Sequence, residues 1–273
     1  AGFGADMGAE KMMHIKATAS GIAPDCVIVN VTVRSMKLHG GGFSTGGGAR
    51  PRPEELAKEN VDAVRAGANT NMARHIRNMS RFGVPVIASV NVFPTDTEAE
   101  IEVLLDEARQ AGASDAVISR VHAEGGPGGA DLARAVVSAC QSHIAEGRPF
   151  EPLFGPNSPL EEKILRIATN IYGAASIDLA PKAIKQLKTL QNWGYGNLAV
   201  CMAKTQYSFS HEMKELGAPS GFTLPIRELR LNAGAGFIVA ICGTIMTMPG
   251  LPRVPAGENM DMDEDGNLLG MFG

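Results

Sequence analysis

Cys26-Val27-Ile28-Val29-Asn30-Val31-Thr32-Val33 decides the fold. A run this dense in β-branched residues, with little polar alternation, predicts a strand buried on both faces of a parallel sheet. A glycine-rich loop follows, with six glycines in the nine residues 40–48. Glu54–Arg81 then reads as one helix, its apolar residues Val61, Val64, Ala68, Met72, Ile76 and Met79 recurring at three- and four-residue steps. Val84–Val92 predicts a second buried strand, Glu98–Ala111 a helix, Asp115–Val121 a third strand and Gly129–Glu146 a helix. This β-α-β-α-β-α order predicts an α/β fold with a parallel, doubly wound sheet.

The texture changes at Pro149, Pro152, Pro156 and Pro159, four prolines in eleven residues, which predict a linker between subdomains. Helices are expected at Leu160–Tyr172 and Pro181–Asn192, and a strand at Leu198–Met202. Short strands are expected at Phe222–Leu224, Glu228–Leu231 and Phe237–Ile241, with a Gly-Ala-Gly turn at Gly234–Gly236. The expected division is 1–65, 66–150 and 151–273, the last a smaller α+β domain. Asp261–Asp265 lacks the spacing and closing Glu of an EF-hand loop and reads as a solvated turn.

Composition narrows the function classes. The chain has 273 residues, 44% of them hydrophobic and 20% charged, as in ordinary globular domains. A formal net charge of −4 gives no overall basic field for nucleic acid or an anionic membrane. No apolar run approaches the ~20 residues that span a bilayer, and no basic-then-apolar leader opens the chain. Cys26, Cys140, Cys201 and Cys242 show no metal spacing and sit in apolar segments. They read as reduced core thiols, which suits a cytoplasmic location.

Parallel sheets bind ligands beyond the carboxyl ends of their strands. Two such ends here are polar and distinctive: Asn91-Val92-Phe93-Pro94-Thr95-Asp96 and Ser119-Arg120-Val121-His122. Phe93 and Pro94 offer faces for stacking on a flat heterocycle, and Asn91 and Asp96 offer hydrogen bonds. Thr95 or Asp96 is also placed to cap the helix that follows. Lys37 and His39, beside Gly40–Gly42, combine a cation, a titratable ring and backbone N–H groups suited to phosphate or formate. Asp6 and Glu10 stand one helical turn apart, either supporting a cation or lying on a solvated face. Irregular backbone is expected at Ala203–Ser208 and Gly243–Pro252, where ligand contacts tend to sit.

Several separated motifs resemble those of the formate–tetrahydrofolate ligase (formyltetrahydrofolate synthetase) family. They are Ala1-Gly2-Phe3-Gly4-Ala5-Asp6 with Glu10-Lys11, Thr32-Val33-Arg34-Ser35-Met36-Lys37-Leu38-His39-Gly40-Gly41, Asn91-Val92-Phe93-Pro94-Thr95-Asp96-Thr97, and Ala123-Glu124-Gly125-Gly126. The Ala203–Ser208 and Gly243–Pro252 runs are similar to two more, and the resemblance extends over the whole chain. It implies ATP-dependent joining of formate to tetrahydrofolate through formyl phosphate, on a P-loop NTPase-like fold, in a cytoplasmic homotetramer. It also implies ATP, Mg²⁺, tetrahydrofolate and a monovalent cation as ligands. Phe3, Phe93, Pro94, Ile118 and His122 are implied to line the pterin or adenine pocket, with Lys204 and Gln206 nearby. Lys37 and His39 are implied on the formate side.

Two departures accompany the resemblance. His122 stands where the family pattern has Trp, giving less stacking area and a group that titrates near neutral pH. The insert Phe43–Pro53 is longer than the family usually shows, either a mobile flap or an inert surface insertion. No G-x-x-x-x-G-K-[ST] occurs and the chain begins mid-motif. The expectation is therefore the C-terminal half of a longer ligase, inactive without its N-terminal phosphate-loop half. The alternative is a non-catalytic folate- or nucleotide-binding or structural subunit of the same fold.

Overall fold

The computed structural model describes residues 4–43, 53–243, 253–264, 266 and 268–269. Three parallel strands, β1 (Val27–Val31), β2 (Val86–Asn91) and β3 (Asp115–Ser119), form the first sheet in the order β1-β2-β3. Val29 faces Ala88, and Val90 faces Ile118. Val86 through Val90 are all buried, so both faces of β2 are covered. The helical segments 61–80 and 98–110 pack together and against β2, and Ala130–Glu146 packs on β2 and β3.

β1 departs from the expected burial on both faces. Val29 and Val31 are buried, but Ile28 is 47% exposed and Asn30 is exposed. Alternate residues thus pack into the core from one face only, and among the described residues β1 is also an edge strand, with β2 its single strand neighbour. The strand also stops at Val31. Thr32 accepts from the Ser35 N–H while the Ser35 hydroxyl receives the Thr32 N–H. That reciprocal cap starts the helix Val33–His39 where the sequence reads as strand.

The helix expected over 54–81 is broken. Pro53–Ala57 is one turn, and Asn60 caps a second helix by accepting from the Ala63 N–H at 3.0 Å. Lys37 stitches the break. Its ammonium is fully buried, 2.8 Å from Glu100 Oε1, and donates to the Leu56 and Lys58 carbonyls at 3.1 and 2.8 Å. Glu100 also accepts the Asn60 N–H at 2.6 Å. Beyond the break Val64, Ala68, Met72, Ile76 and Met79 are completely buried, in line with their spacing. Thr97, not Thr95 or Asp96, caps Glu98–Gln110, in a capping box with Glu100. β3 likewise ends at Ser119, before a short helix Val121–Glu124.

The second sheet has the order β4-β6-β7-β5. β4 (Ser176–Leu179) runs parallel to β6 (Thr223–Asn232), and β5 (Ala199–Ala203) parallel to β7 (Phe237–Cys242), while β6 and β7 are antiparallel. Two of the short strands expected here, Phe222–Leu224 and Glu228–Leu231, are one ten-residue strand whose pairing shifts between Ile226 and Glu228. β4 is not foreseen from the sequence: four residues after a left-handed Gly173 carry too little pattern. Asp261–Met262 and Leu268–Leu269 pair as β8 and β9, and between them the Gly266 N–H donates to the Asp263 carbonyl at 3.0 Å, so the acidic segment starts in a strand and leads into a turn.

The proline-rich stretch is a packed strap rather than a free linker. Phe150 stacks parallel to Phe82 with centroids 5.9 Å apart, Phe154 stacks on His14 at 4.9 Å, and the Glu151 N–H donates to the Phe82 carbonyl. One apolar core runs from Met13 through Met79 and Leu160 to Cys242, beneath both sheets.

Candidate functional site

A cavity of about 1070 Å³ lies along β1. β1 forms one wall, with Met12, Met13, Met36 and Met72 as soft apolar surfaces and Phe209 and Leu216 opposite. Asp6, His39, His75 and Gln206 supply the polar groups. A large apolar hollow with a few convergent polar side chains is the usual form of a small-molecule site.

The polar groups are fixed from behind. Lys204 follows β5 and turns inward, fully buried, with its ammonium 2.6 Å from Asp6 Oδ2 and 3.1 Å from its neighbour's carbonyl, Thr205 O. It also donates to the Ser208 carbonyl and sits 4.9 Å above the Tyr172 ring. Burial lowers the Lys204 pKa, and Asp6 opposes that shift. Lys204 thus holds the 204–208 segment and Asp6 together, while exposed Gln206 reaches the cavity rim.

His39 and His75 are neutral at pH 7. Burial, reinforced by His75, brings His39 down to about 4 against the opposing pull of Asp6. Burial also lowers His75. His39 Nδ1 accepts the Gly217 N–H at 3.1 Å, which places its proton on Nε2 and makes that nitrogen a donor. His75 packs on Phe209 at 4.6 Å, and its Nδ1 has no partner among the described residues. The pair offers one fixed donor and one uncommitted nitrogen. Sequence reasoning missed His75, because a single His on a helix otherwise read as core gives no local signal.

The glycines after His39 serve packing. Gly40, Gly41 and Gly42 donate their N–H groups to Met36, Leu38 and Lys37 carbonyls, closing the helix end. A Cβ on Gly40 would come within 1.8 Å of the Ala63 carbonyl oxygen, and one on Gly67 within 2.1 Å of Met36 O. Neither the N–H groups of 40–42 nor the Lys37 ammonium faces the cavity with free capacity.

A second group of expected residues gathers at the ends of β2 and β3. Asn91 closes β2 opposite Ser119. The Phe93 N–H donates to Asp96 Oδ2 at 2.9 Å, Pro94 and Thr95 are exposed, and Ile118 is half-buried in β3. Burial raises the Asp96 pKa, opposed by the Phe93 N–H and Arg34. Arg34 binds this group together: its guanidinium lies 4.2 Å over the Phe93 ring and 3.4 Å from Thr95 Oγ1. One face of Phe93 is therefore covered by a cation. His122 stands exposed on the Val121–Glu124 turn, without a hydrogen bond to the 91–96 loop.

Asp6 and Glu10 do not form a cation site. Asp6 pairs with Lys204, and buried Glu10 lies 2.8 Å from both Lys11 and His14. Among the described residues no three acidic, His or Cys side chains are grouped to hold a metal. Phe3 and residues 244–252 lie outside the described residues. Gly243 does not: it is left-handed and bonds Pro225 and Arg227.

A sequence model described as formate--tetrahydrofolate ligase matches residues 1–272. The chain belongs to the formate--tetrahydrofolate ligase family. It is 50% identical over 272 residues to a formate--tetrahydrofolate ligase of Paracoccus denitrificans, covering all of this chain and 46% of that protein. It is 48% identical over 270 residues to the ligase of Roseiflexus sp., covering 99% of this chain and 47% of the relative. It is also 46% identical to the cytoplasmic C-1-tetrahydrofolate synthase of Schizosaccharomyces pombe, covering 99% of this chain and 28% of that protein. The chain thus spans about half the length of the ligases it matches. Within the family fold, no described helix is long and apolar enough to cross a membrane.

Proposed function

We propose that this chain supplies substrate-holding surfaces of an ATP-dependent ligase that joins formate to tetrahydrofolate, giving 10-formyltetrahydrofolate. The whole-chain family match carries the reading. In the reaction a formate oxygen attacks the γ-phosphorus and ADP leaves. The folate N10 amine then attacks the formyl carbon of formyl phosphate, phosphate leaves and the amine gives up a proton. His39 Nε2–H is a donor for a carbonyl or anionic oxygen, and His75, whose Nδ1 has no partner among the described residues, offers a ring nitrogen beside the cavity. The 91–96 loop, with the half-buried Phe93 ring and exposed Pro94, contributes apolar surface for a heterocycle.

The described residues do not fit Mg²⁺, because Asp6 and Glu10 are both spent on internal cations. They do not cradle a triphosphate either, because the N–H groups of 40–42 are bonded internally. Phosphate and metal chemistry belong, in this reading, to an N-terminal phosphate-loop half of a P-loop NTPase-like fold, and no step through them is assigned to this chain. Small molecules and that half are the proposed partners, in a homo-oligomer working in the cytoplasm.

The test is a formylation assay dependent on ATP, formate and tetrahydrofolate. Purified chain alone gives no product, and adding the N-terminal half restores turnover; turnover by the chain alone overturns the division of labour. Exposed His122 favours a second reading as a non-catalytic subunit of the same fold. That reading predicts tetrahydrofolate binding by calorimetry with no turnover after reconstitution.

A further inference from the structure

All four cysteines are reduced, but they are not alike. Cys201 and Cys242 lie in the second sheet, where Cys201 faces Val239. Cys242 is three residues further along β7, about 10 Å away, beyond the span of a disulfide. Cys26 and Cys140 come together instead. Cys26 stands just before β1 and lines the cavity, and Cys140 lies within Ala130–Glu146, the helix that packs on β2 and β3. Folding brings these two distant positions close enough for their sulfurs to hydrogen-bond each other.

The pair is both fixed and reachable. Cys26 Sγ also lies 3.7 Å from the Val27 carbonyl, which anchors the thiol at the start of the strand. Both cysteines are half-buried, whereas Cys242 is buried. Cys26 holds its proton: its pKa is pushed up to about 11, first by burial and then by Cys140. A thiol held protonated is slow to attack, so Cys140 opens the reaction and Cys26 completes it.

We propose that Cys26 and Cys140 form a redox-active dithiol that small-molecule disulfides convert into an internal disulfide. Cys140, as thiolate, attacks one sulfur of the reagent. The reagent's S–S bond breaks, and half of it leaves with the proton that Cys140 gave up. Cys26 then loses its proton and attacks the Cys140 sulfur, and the second half leaves as a thiol. Two protein thiols are oxidised and one disulfide is reduced to two thiols. The new bond ties the start of β1, at the cavity wall, to the helix over the other two strands.

The experiment treats the reduced, folded chain with oxidised glutathione and reads free thiols, intact mass and linked peptides. The expected result is loss of two of the four thiols, no retained glutathione, and one linkage, Cys26 to Cys140, reversed by dithiothreitol. Its rate is independent of protein concentration. Cys26→Ser should stop at a glutathione adduct on Cys140, and Cys140→Ser should react roughly tenfold more slowly. Four free thiols after treatment, an adduct that persists on the parent chain, a bond between two chains, or a linkage through Cys201 or Cys242 overturns the proposal. The peptide map of the parent decides the matter even where a variant fails to fold.

Discussion

Lys37 and His39 stand two residues apart and do different work. The Lys37 ammonium, the Glu100 carboxylate and two carbonyls form a closed buried knot. Removing one partner of such a pair strands the other charge, so Lys37→Met should cost about 3–5 kcal/mol in urea unfolding. Adding Glu100→Gln should return part of that loss; a Lys37→Met protein of parental stability would show that the knot contributes nothing. His39 makes a pH prediction. Its folded pKa of about 4 lies below the ordinary 6.5, so between those values the unfolded chain binds more protons. Stability should then fall as pH drops from 6.5 to 4 and level off below, by something on the order of 3 kcal/mol. Buried His75 adds in the same direction. Urea midpoints across that range should be visibly flatter for His39→Gln, and parallel curves would remove His39 as a source.

Between elements, the closest approach is where the helix ending at His39 meets the helix from Val61. Gly40 and Gly67 stand against backbone on opposite sides of that crossing. Gly67→Ala would push its Cβ into the Met36 carbonyl and should cost about 1–3 kcal/mol or more. Gly234→Ala, which meets nothing within 4 Å, should stay within about 0.5 kcal/mol; equal midpoints would mean the helices move apart freely. The same crossing shows what the sequence discloses. Period and propensity reveal β2, the core residues Val64 to Met79 and the helix Glu98–Gln110, because those signals are local. The Lys-x-His-Gly-Gly motif invites a phosphate reading, since its glycines and cation look alike whether they face a ligand or a neighbouring helix. Distinguishing the two needs partners about twenty to sixty residues away, Leu56, Ala63 and Glu100. Asp6, His39, His75 and Lys204 come together only through folding, and no spacing along the chain announces that.

At the scale of the molecule, both sheets rest on one continuous core, and the 147–159 strap is packed into it. Heat unfolding should therefore be one cooperative transition, with calorimetric and van't Hoff enthalpies in agreement. Two resolved transitions would mean that the sheets melt independently and the strap acts as a tether. The open side of β1 has a different consequence. Its outer backbone N–H and C=O groups have no strand beside them among the described residues, and Ile28 is uncovered on its face. Such an edge is a template for another strand. In concentrated solution a second copy of the chain can take the place beside that edge. Edge-to-edge association, read as light scattering that rises with concentration while the thermal midpoint holds, is the expected first failure on storage.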